Sequence, residues 1–184
     1  MKKLLVIVDY QNDFVDGALG FPKAAALDDG IAHLAQAYLA MGDYVLFTFD
    51  THGEDYLSTR EGRALPVQHC IAQTPGWRLY GKTQMLCCET CSNGQLFQAY
   101  KPGFGIPPAE LTRLAGQIGE ISDIMMVGVV TNMCVLSNAV MLQAQWPEAQ
   151  ITIDASLCAS FDDALHEKAL DIMEALQMRI VNRA

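Results

Sequence analysis

The chain has 184 residues, of which 51% are hydrophobic and 18% charged, a composition that excludes a disordered chain and supports one buried core. Its 12 basic and 21 acidic side chains give a formal net charge of -9, which excludes nucleic acid as a partner because the surface repels a phosphate backbone. We expect one domain over residues 1–184, folding by itself or as a homo-oligomer.

The first apolar run, residues 4–8, follows two lysines and ends at Asp9. Five apolar residues are too few for a signal peptide core and far too few to span a bilayer, so we predict a buried first strand and no membrane contact. Without an export signal, the six cysteines are interpreted as reduced thiols. Together these features predict a cytoplasmic protein.

Apolar runs and amphipathic stretches alternate along the rest of the chain. Strands are predicted at residues 44–49, 124–130 and 151–153, with a weaker one near Ile180, and helices at residues 30–40, 108–116, 134–145 and 161–176. Ser160 stands three residues before Asp163, a spacing typical of a helix start. The alternation predicts an α/β fold, a doubly wound, Rossmann-like parallel sheet with helices on both faces.

Residues 51–105 have little periodicity, and we predict an irregular active-site loop region there, since long irregular connections in compact domains are usually functional. Within it, Cys88 and Cys91 form a CxxC pair beside Cys87. A redox motif would need a helix start after a strand, and a zinc ribbon would need a second pair. The sequence therefore favours thiols packed in a loop, with no role assigned to them.

Cys134 stands where an apolar strand runs into a predicted helix, in the segment MVGVVTNMCV at residues 126–135. At a helix start the exposed N–H groups and the dipole lower the pKa of a thiol, and the same N–H groups could hold an oxyanion. Cys134 is therefore a candidate nucleophile. A buried structural cysteine is the alternative from position alone.

Two acidic residues follow predicted strands directly. Asp9 stands at the carboxyl end of the first strand, where open α/β sheets bind ligands, so it could act as a base; a turn-capping Asp is the alternative. Asp50 ends another strand, with His52 two residues on and His69 after a loop. One carboxylate and two imidazoles form a ligand set of catalytic zinc and of non-haem iron, and histidines that merely sit in loops are the alternative.

Three other polar residues, Asp13, His33 and His166, are not predicted to take part in catalysis directly. Asp13 is interpreted as structural, because an Asp after a strand commonly caps the next turn. His33 and His166 lie in predicted helices and are interpreted as surface or supporting residues.

Taken together, these segments resemble the isochorismatase-like cysteine hydrolase superfamily, and within it the nicotinamidase branch. DYQNDF at residues 9–14 resembles the family's first motif, Lys101 its lysine, and GVVTNMCV at residues 128–135 its nucleophile motif. The resemblance implies that Asp9, Lys101 and Cys134 are the catalytic residues, with Asp9 as general base. Lys82 is a second lysine in the region, but its distance from the cysteine motif fits the family less well.

The resemblance also implies the family fold, a doubly wound parallel sheet, and the shape of the nucleophile turn. A cis peptide bond would join Val129 to Val130, and the N–H groups of Val130 and Cys134 would form the oxyanion hole. Phe14 and Trp77 are candidates to line the substrate pocket, although either could belong to the core instead.

In the nicotinamidase branch an Asp-x-His pair and a later His hold a metal, usually zinc. Asp50, His52 and His69 match those positions, so the resemblance implies a divalent metal, zinc, as cofactor. Many members have a further His shortly after the first, where this chain has EDYL at residues 54–57. The acids available to replace it are Glu54, Asp55 and Glu61, with water as the other possibility.

The activity implied is hydrolysis of a small carboxamide, nicotinamide first of all, to the carboxylate and ammonia through a cysteine thioester, with a place in NAD metabolism by pyridine nucleotide salvage. A hydrolase of carbamoyl or ureido substrates is the alternative within the family, because the segment PGFG at residues 102–105 lacks the serine common there. A non-catalytic small-molecule binding protein is the alternative outside it, although a pure binder has no need of Asp9, Lys101 and Cys134 together.

Overall fold

The structure, a computed structural model, describes residues 1–89 and 94–183. The six strands are β1 (Lys2–Val8), β2 (Tyr44–Asp50), β3 (Leu96–Lys101), β4 (Ile121–Val129), β5 (Gln150–Ala159) and β6 (Arg179–Val181). They form one sheet in the order β3-β2-β1-β4-β5-β6, and every neighbouring pair is parallel. The predicted fold class is confirmed.

Eight α-helices lie along the described part of the chain: α1 (Asn12–Val15), α2 (Pro22–Ala25), α3 (Asp28–Ala40), α4 (Arg60–Ala64), α5 (Gly81–Glu89), α6 (Pro108–Ile118), α7 (Leu136–Gln145) and α8 (Asp163–Ala175). A 3-10 turn spans Tyr56–Ser58 and a π-helical turn spans Thr131–Val135. None of these helices meets the length and apolarity that crossing a bilayer requires.

Two hydrophobic cores cover the two faces of the sheet. Buried residues of α6, α7 and α8 pack with Leu4 and Val6 of β1, whereas those of α1, α2, α3 and α5 pack with Leu5 and Ile7. A strand covered on both faces has apolar residues at consecutive positions, and for that reason β1 is evident from the sequence as an unbroken apolar run.

β5 is longer than the three residues predicted for it. Asp154 and Ser156 interrupt the apolar run after Ile153, yet the strand continues to Ala159. The Ser156 hydroxyl donates to Asp154 Oδ1 over 2.7 Å, so the two polar side chains satisfy each other within the strand.

The start of α8 differs from the prediction in its capping residue. Asp162 is the N-cap, and its Oδ1 accepts from the N–H of Leu165 at 3.1 Å. The Ser160 hydroxyl instead donates to Asn132 Oδ1 over 2.6 Å, which ties β5 to the π-helical turn.

Residues 51–105 are more ordered than predicted, because they contain α4, α5 and β3. β3 is an edge strand with only two buried residues, so its apolar signal is weak. Cys87 is buried in α5, with Gln98 Nε2 at 3.0 Å from its Sγ, and the expected loop position is wrong for this thiol. Cys91 lies outside the described residues, and so does the side chain of Cys88.

Candidate active site

The candidate catalytic residues stand at the carboxyl ends of neighbouring strands. Lys101 ends β3, Asp50 ends β2, Asp9 directly follows β1, and Cys134 lies in the π-helical turn after β4. In the sheet order β3-β2-β1-β4 these ends are adjacent, so four side chains distant in sequence converge. The strand order reverses between β1 and β4, which is where open α/β sheets form their ligand crevice.

The Lys101 ammonium is at the centre of this group and is almost fully buried. Its Nζ lies 2.6 Å from Asp9 Oδ2, 3.5 Å from Cys134 Sγ and 3.5 Å from Asp50 Oδ1. Nζ also donates to the carbonyl of Gly103 at 2.9 Å, which fixes the segment after β3. One cation therefore lies within 3.5 Å of two carboxylates and the thiol.

Asp9 is fully buried and held in one orientation. Its Oδ1 accepts from the Thr48 hydroxyl at 2.6 Å, and its backbone N–H donates to the same hydroxyl oxygen at 3.1 Å. Oδ2 faces Lys101 and forms the 2.6 Å ion pair with its ammonium. The φ of Asp9 is +45°, a left-handed conformation uncommon for residues other than glycine and concentrated at functional sites.

Burial and neighbouring charges together determine the pKa values of the catalytic residues. It raises the pKa of the Asp9 carboxyl and raises that of the Cys134 thiol well above its usual value, while the Lys101 charge opposes both changes. Burial lowers the pKa of Lys101, but the charges of Asp9, Cys134 and Asp50 outweigh it and raise that pKa overall. The lowered thiol pKa expected from the helix start is therefore wrong: enclosure outweighs the dipole, and the thiol needs a base.

The turn that carries Cys134 depends on a glycine in β4. Gly128 has φ +113°, and a Cβ there would lie 2.2 Å from the carbonyl oxygen of Val8 in β1, so no other residue fits. The peptide bond between Val129 and Val130 is cis. The chain then enters the π-helical turn, and the thiol of Cys134 is only 5% exposed.

Asp50, His52 and His69 form a buried group whose ligand atoms all lie within 4.8 Å of one another. His52 Nε2 is 2.9 Å and His69 Nε2 3.3 Å from the same oxygen, Asp50 Oδ2. His69 Nδ1 lies 2.8 Å from the carbonyl of Val67, so Nδ1 carries a proton and Nε2, which faces Asp50, is the nitrogen available to a metal. Burial opposes ionisation of Asp50, but hydrogen bonds from both imidazoles lower its pKa overall. An ionised carboxylate and two imidazoles directed at one point fit a divalent metal.

Of the three acids considered as a further ligand, only Glu61 is near the group. Its Oε1 lies 3.9 Å from His52 Nε2, and its side chain is 16% exposed. Glu54 and Asp55 are exposed in the loop after His52.

A clasp formed by Gln11, Asn12 and Asp13 holds the loop that carries His69. Asp13 Oδ2 accepts from the N–H of Cys70 at 2.8 Å, directly after His69. Asn12 Nδ2 donates to the carbonyl of Pro75 at 2.8 Å, and Gln11 Nε2 donates to that of Trp77 at 2.7 Å. The interpretation of Asp13 as structural agrees with this contact.

The clasp also reaches β2 and requires a second glycine. The Gln11 amide is bonded to both backbone groups of Asp50, accepting from its N–H at 2.8 Å and donating to its carbonyl at 3.0 Å. A Cβ on Gly76 would lie 2.1 Å from Asp13 Oδ2, so glycine alone leaves that carboxylate in place.

A cavity of about 280 Å³ opens onto the thiol and the histidine group. Its polar lining consists of Asp50, Glu61, His69 and Cys134, and its apolar lining of Phe14, Leu19, Leu65, Phe104, Val130, Met133 and Phe161. Apolar side chains thus make up most of the lining, and they would suit a flat apolar ring.

The structure brings Phe14 to this cavity but not Trp77. Trp77 belongs to a different aromatic cluster, stacked on Tyr100 with ring centroids 5.8 Å apart, and its Nε1 donates to Thr51 Oγ1 at 2.9 Å. The expectation for Trp77 is therefore wrong, because stacking and this hydrogen bond hold the indole elsewhere. Lys82 is also remote, paired with Asp29 on the surface.

Three residues that contact the site were missed by the sequence analysis. Thr48 holds Asp9, Gln11 holds Asp50, and Asn138 donates to the carbonyl of Cys134 at 2.8 Å while its Oδ1 accepts from the N–H of Ile106 at 2.9 Å. All three are fully buried. Thr48 could have been found from the sequence, since it is the one threonine among the apolar and aromatic residues of β2, and buried polar side chains need a partner.

Comparisons with known proteins cover nearly the whole chain. A family model described as the isochorismatase domain matches residues 3–184. A nicotinamidase/pyrazinamidase structure from Bacillus subtilis superposes with a TM-score of 0.87 at 32% identity, covering 98% of this chain and 99% of that one. One from Streptococcus mutans gives 0.87 at 28% identity, covering 98% and 100%. A pyrazinamidase from Pyrococcus horikoshii, solved in complex with zinc, shares the fold with a TM-score of 0.77 at 21% identity, covering 100% of both chains.

Proposed function

This chain belongs to the isochorismatase family, and from that premise we propose that it is a cysteine amidohydrolase that converts nicotinamide to nicotinate and ammonia. The observation that carries the proposal is the contact of one buried ammonium, that of Lys101, with both the Asp9 carboxylate and the Cys134 thiol. The direct test is ammonia release from nicotinamide by the purified protein. A protein with no turnover of this amide would overturn the assignment.

Asp9 is the general base in the proposed reaction. The thiol is protonated in the resting site because burial raises its pKa, and Asp9, whose pKa burial also raises, is a stronger base than an exposed carboxylate. Asp9 takes the proton from Sγ, and Lys101 stabilises the resulting thiolate, which lies 3.5 Å from Nζ. The thiolate then attacks the amide carbonyl carbon.

We assign the oxyanion hole to the N–H groups of Val130 and Cys134, as the family resemblance implies. When the tetrahedral intermediate collapses, Asp9 returns its proton to the leaving ammonia and a thioester remains on Cys134. Asp9 next removes a proton from water, and the resulting hydroxide attacks the thioester carbon. The C–S bond then breaks, the proton on Asp9 returns to Sγ, and the product leaves as the acid, which ionises to the carboxylate.

We propose that Asp50, His52 and His69 hold a zinc ion, with Glu61 as the acid available to a fourth position. Support comes from the converging ligand atoms and from the carbonyl that fixes the tautomer of His69. When bound, the metal supplies a Lewis acid that orients the ring nitrogen of the substrate. Phe14 lines the adjoining wall, with its ring centroid 5.5 Å from that of His69.

Removing one ligand tests the metal site. His69→Ala is expected to lower the metal content of the purified protein from about one equivalent to a small fraction, measured by elemental analysis. The decrease in kcat/KM should exceed the about 10- to 100-fold typical of changes around a metal site, because a direct ligand is lost. His33→Ala is the matched control, since His33 is exposed on α3. Full metal content in His69→Ala would refute this site.

The cavity also discriminates against the alternative substrate class. Carbamoylated amino acids carry a carboxylate, and no Lys or Arg side chain lines the cavity among the described residues. A carboxylate against the apolar walls would lose hydration without gaining a cationic side chain as partner, and the proposed metal is the partner of a ring nitrogen, which these substrates lack. We therefore expect kcat/KM for N-carbamoylglycine to be at least about 100-fold below that for nicotinamide.

The corresponding measurement is ammonia release, with the methyl ester of N-carbamoylglycine as control. The ester removes the charge and is one methyl group larger, so faster turnover of the ester than of the acid would show that charge, and not size, excludes the acid. Turnover of N-carbamoylglycine at the rate of nicotinamide would instead identify a ureide hydrolase.

We further propose a cytoplasmic enzyme of pyridine nucleotide salvage that forms a homo-oligomer. The reduced state expected of its cysteines supports the compartment. Exposed apolar side chains on the outer helices, Val140, Ile172 and Leu176, support an interface between copies.

A further inference from the structure

The turn that carries the nucleophile is held from outside by the last helix. Thr131, the first residue of the π-helical turn, is fully buried, and its Oγ1 lies 2.9 Å from Nδ1 of His166 in α8. His166 has no contact with the catalytic cavity among the residues described, so its effect on the site passes through Thr131.

Thr131 lies between the backbone of Val130 and the thiol of Cys134, so a small displacement of Thr131 would move both groups. It directly follows Val130 and begins the turn that contains Cys134. The carbonyl of Val130 accepts from the N–H groups of Met133 at 3.0 Å and Val135 at 3.2 Å, so the turn moves as one unit. A shift of Thr131 would therefore displace the thiol and the backbone N–H of Val130 together.

The imidazole of His166 is held in place by the packing of α8. α8 has 13 residues and is anchored in the core by Ala169, Leu170 and Met173. Burial lowers the pKa of His166, although nearby carboxylates oppose it, so the ring is largely neutral at pH 7. A neutral ring can hold one tautomer and a lasting bond with the Thr131 hydroxyl.

We propose that His166 is a positioning residue for amide hydrolysis, which holds Thr131 so that Cys134 and the backbone of Val130 keep their catalytic geometry. The assignment rests on the proposed function. Misplacement of reacting groups by about 1 Å can cost about 100-fold in rate, so a hydrogen bond outside the cavity can matter for turnover.

The variants His166→Asn and His166→Gln, which both carry a side-chain amide, distinguish the proposed hydrogen-bonding role of His166 from a packing role. The amide of Asn occupies the place of Nδ1, whereas the amide of Gln reaches the place of Nε2. His166→Gln is expected to lower kcat about 10- to 100-fold with KM within about twofold, and His166→Asn to stay within about threefold of the wild type. Lys168→Ala, on the exposed face of α8, is the matched control. Equal kcat values for the Asn and Gln variants would overturn the proposal.

A double-mutant cycle tests whether the effect passes through Thr131. Thr131→Val removes the hydroxyl at nearly constant volume and should lower kcat about as much as His166→Gln. The double variant should be no slower than the slower single variant, because both changes break the same bond. Additive losses in kcat would show that His166 acts by another route.

A measurement without amide substrate distinguishes failure of this inference from failure of the proposed function. The rate of Cys134 alkylation by iodoacetamide, followed by peptide mass spectrometry, should change at least about threefold in His166→Gln and be restored in His166→Asn, since the environment of the thiol depends on the turn. If wild-type protein does not hydrolyse nicotinamide while this pattern holds, the function fails and the positioning role stands. An unchanged alkylation rate in His166→Gln would refute the role itself.

Discussion

Replacing Cys134 with alanine is expected to lower ammonia release from nicotinamide by at least about 10⁴-fold, the scale on which removal of a nucleophile acts in enzymes with covalent intermediates. No other thiol lines the cavity among the described residues. The fold should persist, because the side chain of Cys134 is small and the turn is held by Asn138 and Thr131 through other atoms. The measurements are steady-state ammonia release and thermal unfolding.

Cys158→Ala is the matched control for this substitution. Cys158 is equally buried, but it lies in β5 and borders a different cavity, so its removal should leave kcat within a few fold of the wild type. Quenched wild-type enzyme should in addition carry a nicotinoyl thioester on Cys134, detectable by mass spectrometry. Retained turnover in Cys134→Ala with a normal unfolding transition would refute the covalent mechanism.

Replacing Lys101 with methionine should abolish turnover and also destabilise the fold. Lys101 is the cation nearest to the buried carboxylates of Asp9 and Asp50. Removing one partner of a buried ion pair typically costs about 3–5 kcal/mol, because the remaining charge is left without compensation. Urea unfolding followed by circular dichroism would measure this loss.

The lost stability should depend on pH. Burial already raises the pKa of Asp9, and loss of the Lys101 charge, which opposes that rise, raises it further. A carboxyl whose pKa is higher in the folded protein than in the unfolded chain destabilises the fold as pH rises above the unfolded value. Lys101→Met should therefore be closer to the wild type in stability at pH 5 than at pH 8.

A second substitution checks the cause of this effect. In the double variant Asp9→Asn, Lys101→Met the buried charge at Asp9 is gone, so much of the stability should return while activity stays absent. If the double variant is no more stable than Lys101→Met at pH 8, the loss arises from packing around the lysine stem instead.

The sequence contained enough to predict the sheet and the residues that the structure brings together. β1, β2 and β4 are covered on both faces and appear as mainly apolar runs, and the polar residues Asp9, Asp50 and Thr131 mark their carboxyl ends. Parallel strands bring such ends to one edge, so Asp9, Asp50 and Cys134 could be expected close together. Lys101 required the family resemblance, because β3 is a half-exposed edge strand without a clear pattern.

Features that depend on tertiary contacts could not be predicted in this way. The raised pKa of Cys134 follows from its burial, which a helix-start argument does not include. The place of Trp77 was decided by stacking against Tyr100, a residue of the unpredicted strand β3. The hydrogen bond between Thr131 and His166 joins residues 35 positions apart, and the two residue types alone do not predict that they meet.

The clasp of Gln11, Asn12 and Asp13 affects what the loss of the proposed metal would do to the protein. Its bonds to the loop that carries His69 involve only protein atoms, so they do not depend on a bound ion. Metal uptake then requires exchange of water for preformed ligands rather than folding of a segment. If the proposed site holds its metal in this way, protein treated with a chelator should keep its unfolding transition and recover activity when a divalent metal is added back.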